Sequence, residues 1–135
     1  MKAQIFINLP VKDLKQSMDF YTAVGFTNNP VFTDETAACM VYSEEIYVML
    51  LTHAKFNEFI DKVIADTKTT AAVINALGLD SKKRVDETVE KAVNAGGRET
   101  KEPVDYDFMW QRTFEDPDGH LWEVFFMDMD KFPQE

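Results

Sequence analysis

The sequence predicts an α+β fold made of two similar halves, and three observations carry that prediction. Residues 4–11, QIFINLPV, alternate in the manner of a strand and run into a helix that starts at Asp13. Three short strand-like segments follow: PVFTD, AACMVYS and IYVMLLT. The same β-α-β-β-β order then begins again at residue 70. The predicted layout is a first βαβββ module over 1–52, a connecting segment over 53–69 and a second βαβββ module over 70–135.

In the first strand, Ile5, Ile7, Leu9 and Val11 point one way and Gln4, Phe6, Asn8 and Pro10 the other. The aliphatic side is expected to pack on a helix, and the mixed side suits a cavity wall. Asp13 is the helix cap, with Gln16 as its capping-box partner. Leu14, Met18 and Tyr21 recur at helical spacing, and Gly25 ends the helix. Residues 53–69 read as a loop with a helical turn or two around Phe56, Phe59 and Ile60.

TAAVINALGL, residues 70–79, reads as the opening strand of the second half. Ser81 caps a helix with Val85, Val89 and Ala92 on one face, and Gly96 and Gly97 close it. RETKEPVDYD, MWQRTFED and HLWEVFFMD supply three more strands. The turn before the last of them, DPDG, needs only a structural explanation. Pro117 presets φ, Asp118 closes an Asx turn and Gly119 takes positive φ.

Composition narrows the function. With 45% hydrophobic and 28% charged residues the chain is globular. Eleven Phe, four Tyr and two Trp are material for a core or a greasy pocket. A net charge of −10 argues against nucleic acid and against an anionic membrane surface, since both require clustered Lys and Arg. Cys39 is the only cysteine, which rules out an internal disulfide and fits a reduced, cytoplasmic setting. No signal peptide or membrane-length apolar run is expected. Cys39 reads as a small buried apolar group rather than a nucleophile.

His120 and Glu123 look like a metal pair, but i and i+3 on a strand face opposite sides. His120 is expected to be a turn-flanking residue. Glu123 stands between Leu121 and Phe125, where a carboxyl loses hydration unless it is paired. It is either a proton-transfer group or a structural carboxylate meeting Arg112 or Trp110. Arg112 either holds a ligand carboxylate or phosphate or pairs with a Glu.

LPVKDLKQSMDFYTAVGF (9–26) and FEDPDGHLWEVF (114–125), together with the doubled β-α-β-β-β order, resemble the vicinal oxygen chelate superfamily. That superfamily includes glyoxalase I, the bleomycin-resistance proteins and the extradiol dioxygenases. The likeness is greatest to small bacterial proteins described as predicted lactoylglutathione lyases. The resemblance implies a curved mixed sheet around a cavity and a homodimer. In catalytic relatives it also implies a divalent metal chelated by substrate oxygens. The implied metal-ligand positions fall on Phe6, Met49, Ile74 and Glu123, of which only Glu123 can bind a hard cation. No metal and no cofactor are therefore expected. Phe6, Asn8, Tyr47, Met49, Ile74, Trp110 and Arg112 are the expected ligand-binding residues, with Glu123 as the catalytic candidate. The expected function is binding of a small, partly apolar molecule in the cavity. The alternatives are a glyoxalase-like lyase or a dioxygenase-like oxidoreductase using Glu123, or a vestigial cavity on a protein that acts through its dimer surface.

Overall fold

The computed structural model describes residues 2–132. By its internal packing the chain divides into two compact units, Met1–Thr70 and Ala71–Glu135. Each is a small α+β unit with its own sheet.

In the first unit, strand β1 (Ile5–Val11) leads to helix α1 (Leu14–Val24). Strands β2 (Thr27–Asn29), β3 (Ala37–Val41) and β4 (Ile46–Thr52) follow. The sheet order is β1-β4-β3-β2, with β1 parallel to β4 and the other pairs antiparallel. A short helix α2 (His53–Asn57) comes next. The Asp13 carboxylate accepts from the Gln16 amide, as its capping position requires, and Gly25 takes a φ of 120° at the other end of α1.

Burial divides this sheet by face. Leu9, Val11, Met40, Val48 and Leu50 are buried on one side together with Phe20, Tyr21 and Val24 of α1. The stripe of α1 differs from the expected one by a step. Ser17, Phe20, Tyr21 and Val24 are buried, whereas Leu14 and Met18 lie at the margin. The small Ser17 lets the helix backbone come close, and the Phe20 and Tyr21 rings fill the space beside it. Ile5, expected in the aliphatic face, is 55% exposed because it lies at the open start of β1.

Residues 30–34 do not form the expected strand. Pro30–Phe32 is a single 3-10 turn, and the paired strand is Thr27–Asn29 just before it. Pro30 has no N–H to give to a ladder, and the Asn29 side chain accepts from the Val31 amide, which bends the chain. After this turn the Asp34 carboxylate accepts from the Thr36 amide at 2.8 Å, the Thr36 hydroxyl at 2.8 Å and the Ala37 amide at 3.0 Å.

The second unit repeats the plan. Strand β5 (Asn75–Gly78) precedes helix α3 (Lys82–Asn94), capped by Ser81. Strands β6 (Arg98–Glu99), β7 (Val104–Asp105), β8 (Met109–Glu115) and β9 (Leu121–Met127) complete it. The order is β5-β9-β8-β6, with β7 also on β8 and β5 parallel to β9. Only four residues of the expected 70–79 strand are paired. The expected strand across 98–107 is broken in two. Thr100 still donates to the Thr113 carbonyl, but Val104 pairs with Gln111, so Lys101–Pro103 bulge out. Pro103 cannot donate to the ladder.

The turn at 116–119 is held by Asp116 rather than by Asp118. Asp116 is buried, and its carboxylate accepts from the amides of Asp118 and His120, both at 2.9 Å. Gly119 takes a φ of 90°. Trp122, Val124 and Phe114 are buried on the side that meets Val85, Val89 and Ala92 of α3.

Arg112 lies on this helix side. Its Nε and Nη2 grip both oxygens of Glu99 at 2.9 Å, and its Nη1 reaches Asp86 of α3 at 2.9 Å. The Trp110 indole N–H also donates to Asp86, at 2.9 Å. Holding these two carboxylates raises the Arg112 pKa, so the guanidinium is a fixed cation tying helix to sheet. Replacing Arg112 with Met strands two partly buried carboxylates. The expected loss is about 2 kcal/mol in urea unfolding. Arg98→Met breaks an ion pair whose Arg98 side chain is 69% exposed and should cost under about 1 kcal/mol.

Asp34 gives a pH-dependent prediction. Hydrogen bonds from the Thr36 amide, the Thr36 hydroxyl and the Ala37 amide lower its pKa from the ordinary 3.8. A depressed folded-state pKa contributes stability above the unfolded value, and that stability is lost as pH falls through the folded one. The stability gap between wild type and Asp34→Ala in urea should therefore be full at pH 7 and shrink as pH falls below 3.8. A gap that stays constant at low pH would refute this role.

Candidate functional site

Strand alternation decides which candidates share a surface. In the first unit, Phe6 pairs with Tyr47, Asn8 with Met49 and Pro10 with Leu51, so these six lie on the face turned away from α1. The Phe6 and Tyr47 rings stack at 4.3 Å with planes 10° apart. The Tyr47 hydroxyl donates to the Glu44 carbonyl and accepts from Gln4. Phe6 remains 46% exposed, and Met49 is half-buried between Asn8 and Cys39. Cys39 is buried, and burial pushes its thiol pKa up, which keeps it protonated and inert.

A cavity of about 440 Å³ opens on this face, lined by Asn8, Leu51, Phe56, Phe59 and Ile60. Asn8 comes from β1 and Leu51 from β4, while α2 and the turn after it bring in the three apolar side chains of the connecting segment. The Thr52 hydroxyl caps α2 by accepting from the Lys55 amide, which starts the helix directly at the end of the strand. Phe56 lies in α2, and Phe59 and Ile60 come from the turn just after it. The sequence singled out Phe56, Phe59 and Ile60 as the apolar residues of a helical turn or two within 53–69, but not as a wall of this cavity. Lys55 sits 5.5 Å from the centre of the Phe59 ring and pairs with Glu58 at 3.5 Å.

In the second unit Glu123 pairs with Thr113 and Ala76. It shares its face with Leu121 and Phe125, away from α3. It is half-buried, and among the described residues no hydrogen bond or ion pair holds its carboxylate. Arg112 and Trp110, expected beside it, stand on the opposite face, where Asp86 and Glu99 occupy them. An odd-numbered step along β8 separates them from Thr113, so the pleat turns them to the helix side. Ile74 precedes β5 and is 56% exposed.

Trp110 also borders a smaller cavity of about 160 Å³ with Phe108, Phe126, Asp105 and Asp128, and the Lys82 ammonium lies 4.2 Å from its ring centre. His120 is buried, and its backbone exchanges hydrogen bonds with Asp116. Among the described residues no group of three or more His, Cys, Asp and Glu is placed to hold a metal ion. No helix among them is long and apolar enough to cross a membrane.

Comparison with known proteins agrees with the doubled topology. The hypothetical protein SA1046 from S. aureus is 26% identical, with a TM-score of 0.78 over 93% of this chain and 94% of that one. A glyoxalase-related enzyme from Fulvimarina pelagi is 20% identical, with a TM-score of 0.78 over 93% and 88%. The bleomycin resistance determinant encoded on the transposon Tn5 is 20% identical, with a TM-score of 0.65 over 95% and 100%. The last two likenesses are of fold alone. No curated protein matches the sequence. Residues 4–124 match the family described as Glyoxalase/Bleomycin resistance protein/Dioxygenase superfamily, and the chain belongs to that superfamily.

Proposed function

We propose that this protein binds a small, partly apolar molecule in the cavity beside Asn8 and does so without a resident metal. The cavity itself carries this reading. It has the size of a small-molecule site, its walls are Leu51, Phe56, Phe59 and Ile60, and one amide interrupts the grease. Phe6, Tyr47 and Met49 extend the same sheet face and would flank a bound molecule. The metal-free part rests on donor chemistry. Phe6, Met49 and Ile74 stand where the superfamily resemblance implies ligands, and none of them offers an oxygen or nitrogen. Glu123 alone does not fit a divalent cation that needs several donors.

The neutral dye Nile red should gain fluorescence on binding. Phe56→Glu should weaken that binding by at least roughly tenfold, because a charge enters the apolar wall. Val63→Glu, at a side chain that is 94% exposed and outside the cavity, should leave it unchanged. Equal effects of the two substitutions would defeat the proposal.

A second reading follows from Glu123. A half-buried carboxylate with no partner among the described residues suits a proton-transfer role in a lyase-like reaction. Thermal melting with Ni²⁺, Zn²⁺, Mn²⁺ and Fe²⁺ separates the two readings. The metal-free reading expects no ion-specific stabilisation. A rise in Tm with one ion, abolished in Glu123→Gln, would favour the lyase instead.

A further inference from the structure

The cavity at Trp110 in the second unit plays no part in the binding role proposed for the first. We infer that it takes the alkylammonium headgroup of a small organic cation, seated on the Trp110 ring in the place where the chain's own Lys82 ammonium lies.

Sheet register builds the site. Asp105 pairs with Trp110, and Trp110 with Phe126, so one row across β7, β8 and β9 sends these three side chains to the same face. The Asp128 amide donates to the Phe108 carbonyl at 2.7 Å, and the side chains of both residues line the same cavity of about 160 Å³. Aromatic rings edged by carboxylates complement a cation that has an apolar surface. A methylated ammonium has no hydrogen bonds to lose on leaving water, and the negative face of a ring attracts its charge. The Asp86 carboxylate on the indole N–H, at 2.9 Å, adds negative potential to the Trp110 ring. The volume suits a trimethylammonium group with a short tail.

Lys82 displays the chemistry within the chain. Its ammonium lies 4.2 Å from the centre of the Trp110 ring, and among the described residues no carboxylate pairs with it. The ring alone therefore places it there. Its side chain is exposed and leaves the first position of α3, where the helix dipole disfavours positive charge, so it yields readily to a competitor. The other lysine of the lining, Lys131, is paired with Asp107 at 3.8 Å. Asp105 and Asp128 each accept one backbone amide, from Asp107 and Asp130, and have no cationic partner among the described residues. Their charge is left for a guest. An anion would be repelled by the same two groups, and the net charge of −10 favours the approach of a cation.

Calorimetric titration of the full chain in low salt tests this with choline and its neutral isostere 3,3-dimethylbutan-1-ol. Choline should bind, and the alcohol should bind at least roughly tenfold more weakly. Lys82→Met clears the ring and should tighten choline binding roughly two- to fivefold, the worth of one exposed cation–π contact. Lys83→Met removes the same charge from a side chain that is 86% exposed and outside the cavity, and should leave binding unchanged. Trp110→Leu should abolish it. N-acetyl-trimethyllysine methylamide, titrated beside choline, identifies the source of the headgroup: tighter binding of choline points to a free amine, and tighter binding of the lysine derivative points to a side chain of another protein. An alcohol as tight as choline, equal effects of Lys82→Met and Lys83→Met, choline binding that survives Trp110→Leu, or no choline binding at all would each overturn the inference. The wild-type comparison of choline with the alcohol stands even if Trp110→Leu folds poorly.

Discussion

The parallel pairing of the first strand with the last organises both units. β1 lies along β4 and β5 along β9, so in each unit the first strand takes a sheet edge, hydrogen-bonded to the last strand. Parallel neighbours need a crossover, and α1 and α3 supply it. The helix then covers one sheet face, and the period-two pleat sends every second side chain to the other face. In the first unit Leu9, Val11, Val48 and Leu50 go under the helix while Phe6, Asn8, Tyr47 and Met49 go to the open side. In the second unit Trp122 and Val124 go under the helix while Glu123 and Phe125 do not.

That division separates structural chemistry from available chemistry. In the second unit Arg112 is spent on the helix side, where Glu99 and Asp86 neutralise it and Trp110 shares Asp86. A guanidinium so engaged is a cross-link rather than a receptor for an anion. The open faces carry different equipment. One has an amide, stacked aromatic rings and a greasy wall folded over it from α2. The other has the half-buried Glu123 carboxylate beside Thr113, Leu121 and Phe125, while Glu115 on the same face is paired with Arg98. Membership of a superfamily with many activities does not choose among them, because chemistry is set by the site and not by the scaffold. Here the site offers apolar area and one side-chain amide.

Local rules wrote much of this directly into the chain. Asp13 and Ser81 cap their helices because a short side-chain acceptor just before a helix satisfies a free amide whatever the rest of the molecule does. Gly25 and Gly119 adopt positive φ where a chain stop and a tight turn need it. The alternation in QIFINLPV and HLWEVFF, the separation of His120 from Glu123, the α+β class and the doubled order follow from periodicity that any strand or helix must obey. Residue types alone also showed that Phe6, Met49 and Ile74 bring no hard donor.

Tertiary structure decided the rest, because those outcomes depend on partners far along the chain. Pro30 turned a strand-like run into a 3-10 turn once Asn29 bent over it, and the pairing register of β8 pushed Lys101–Pro103 into a bulge. Asp116 rather than Asp118 closes the last turn, since only a buried carboxylate two residues earlier reaches both amides. The face on which Arg112 and Trp110 stand was fixed by the register of β8 against β9 and by Asp86 on α3, none of which a local pattern contains. Phe56, Phe59 and Ile60 became a cavity wall because β4 delivers α2 over β1, and a pocket exists only where distant segments meet.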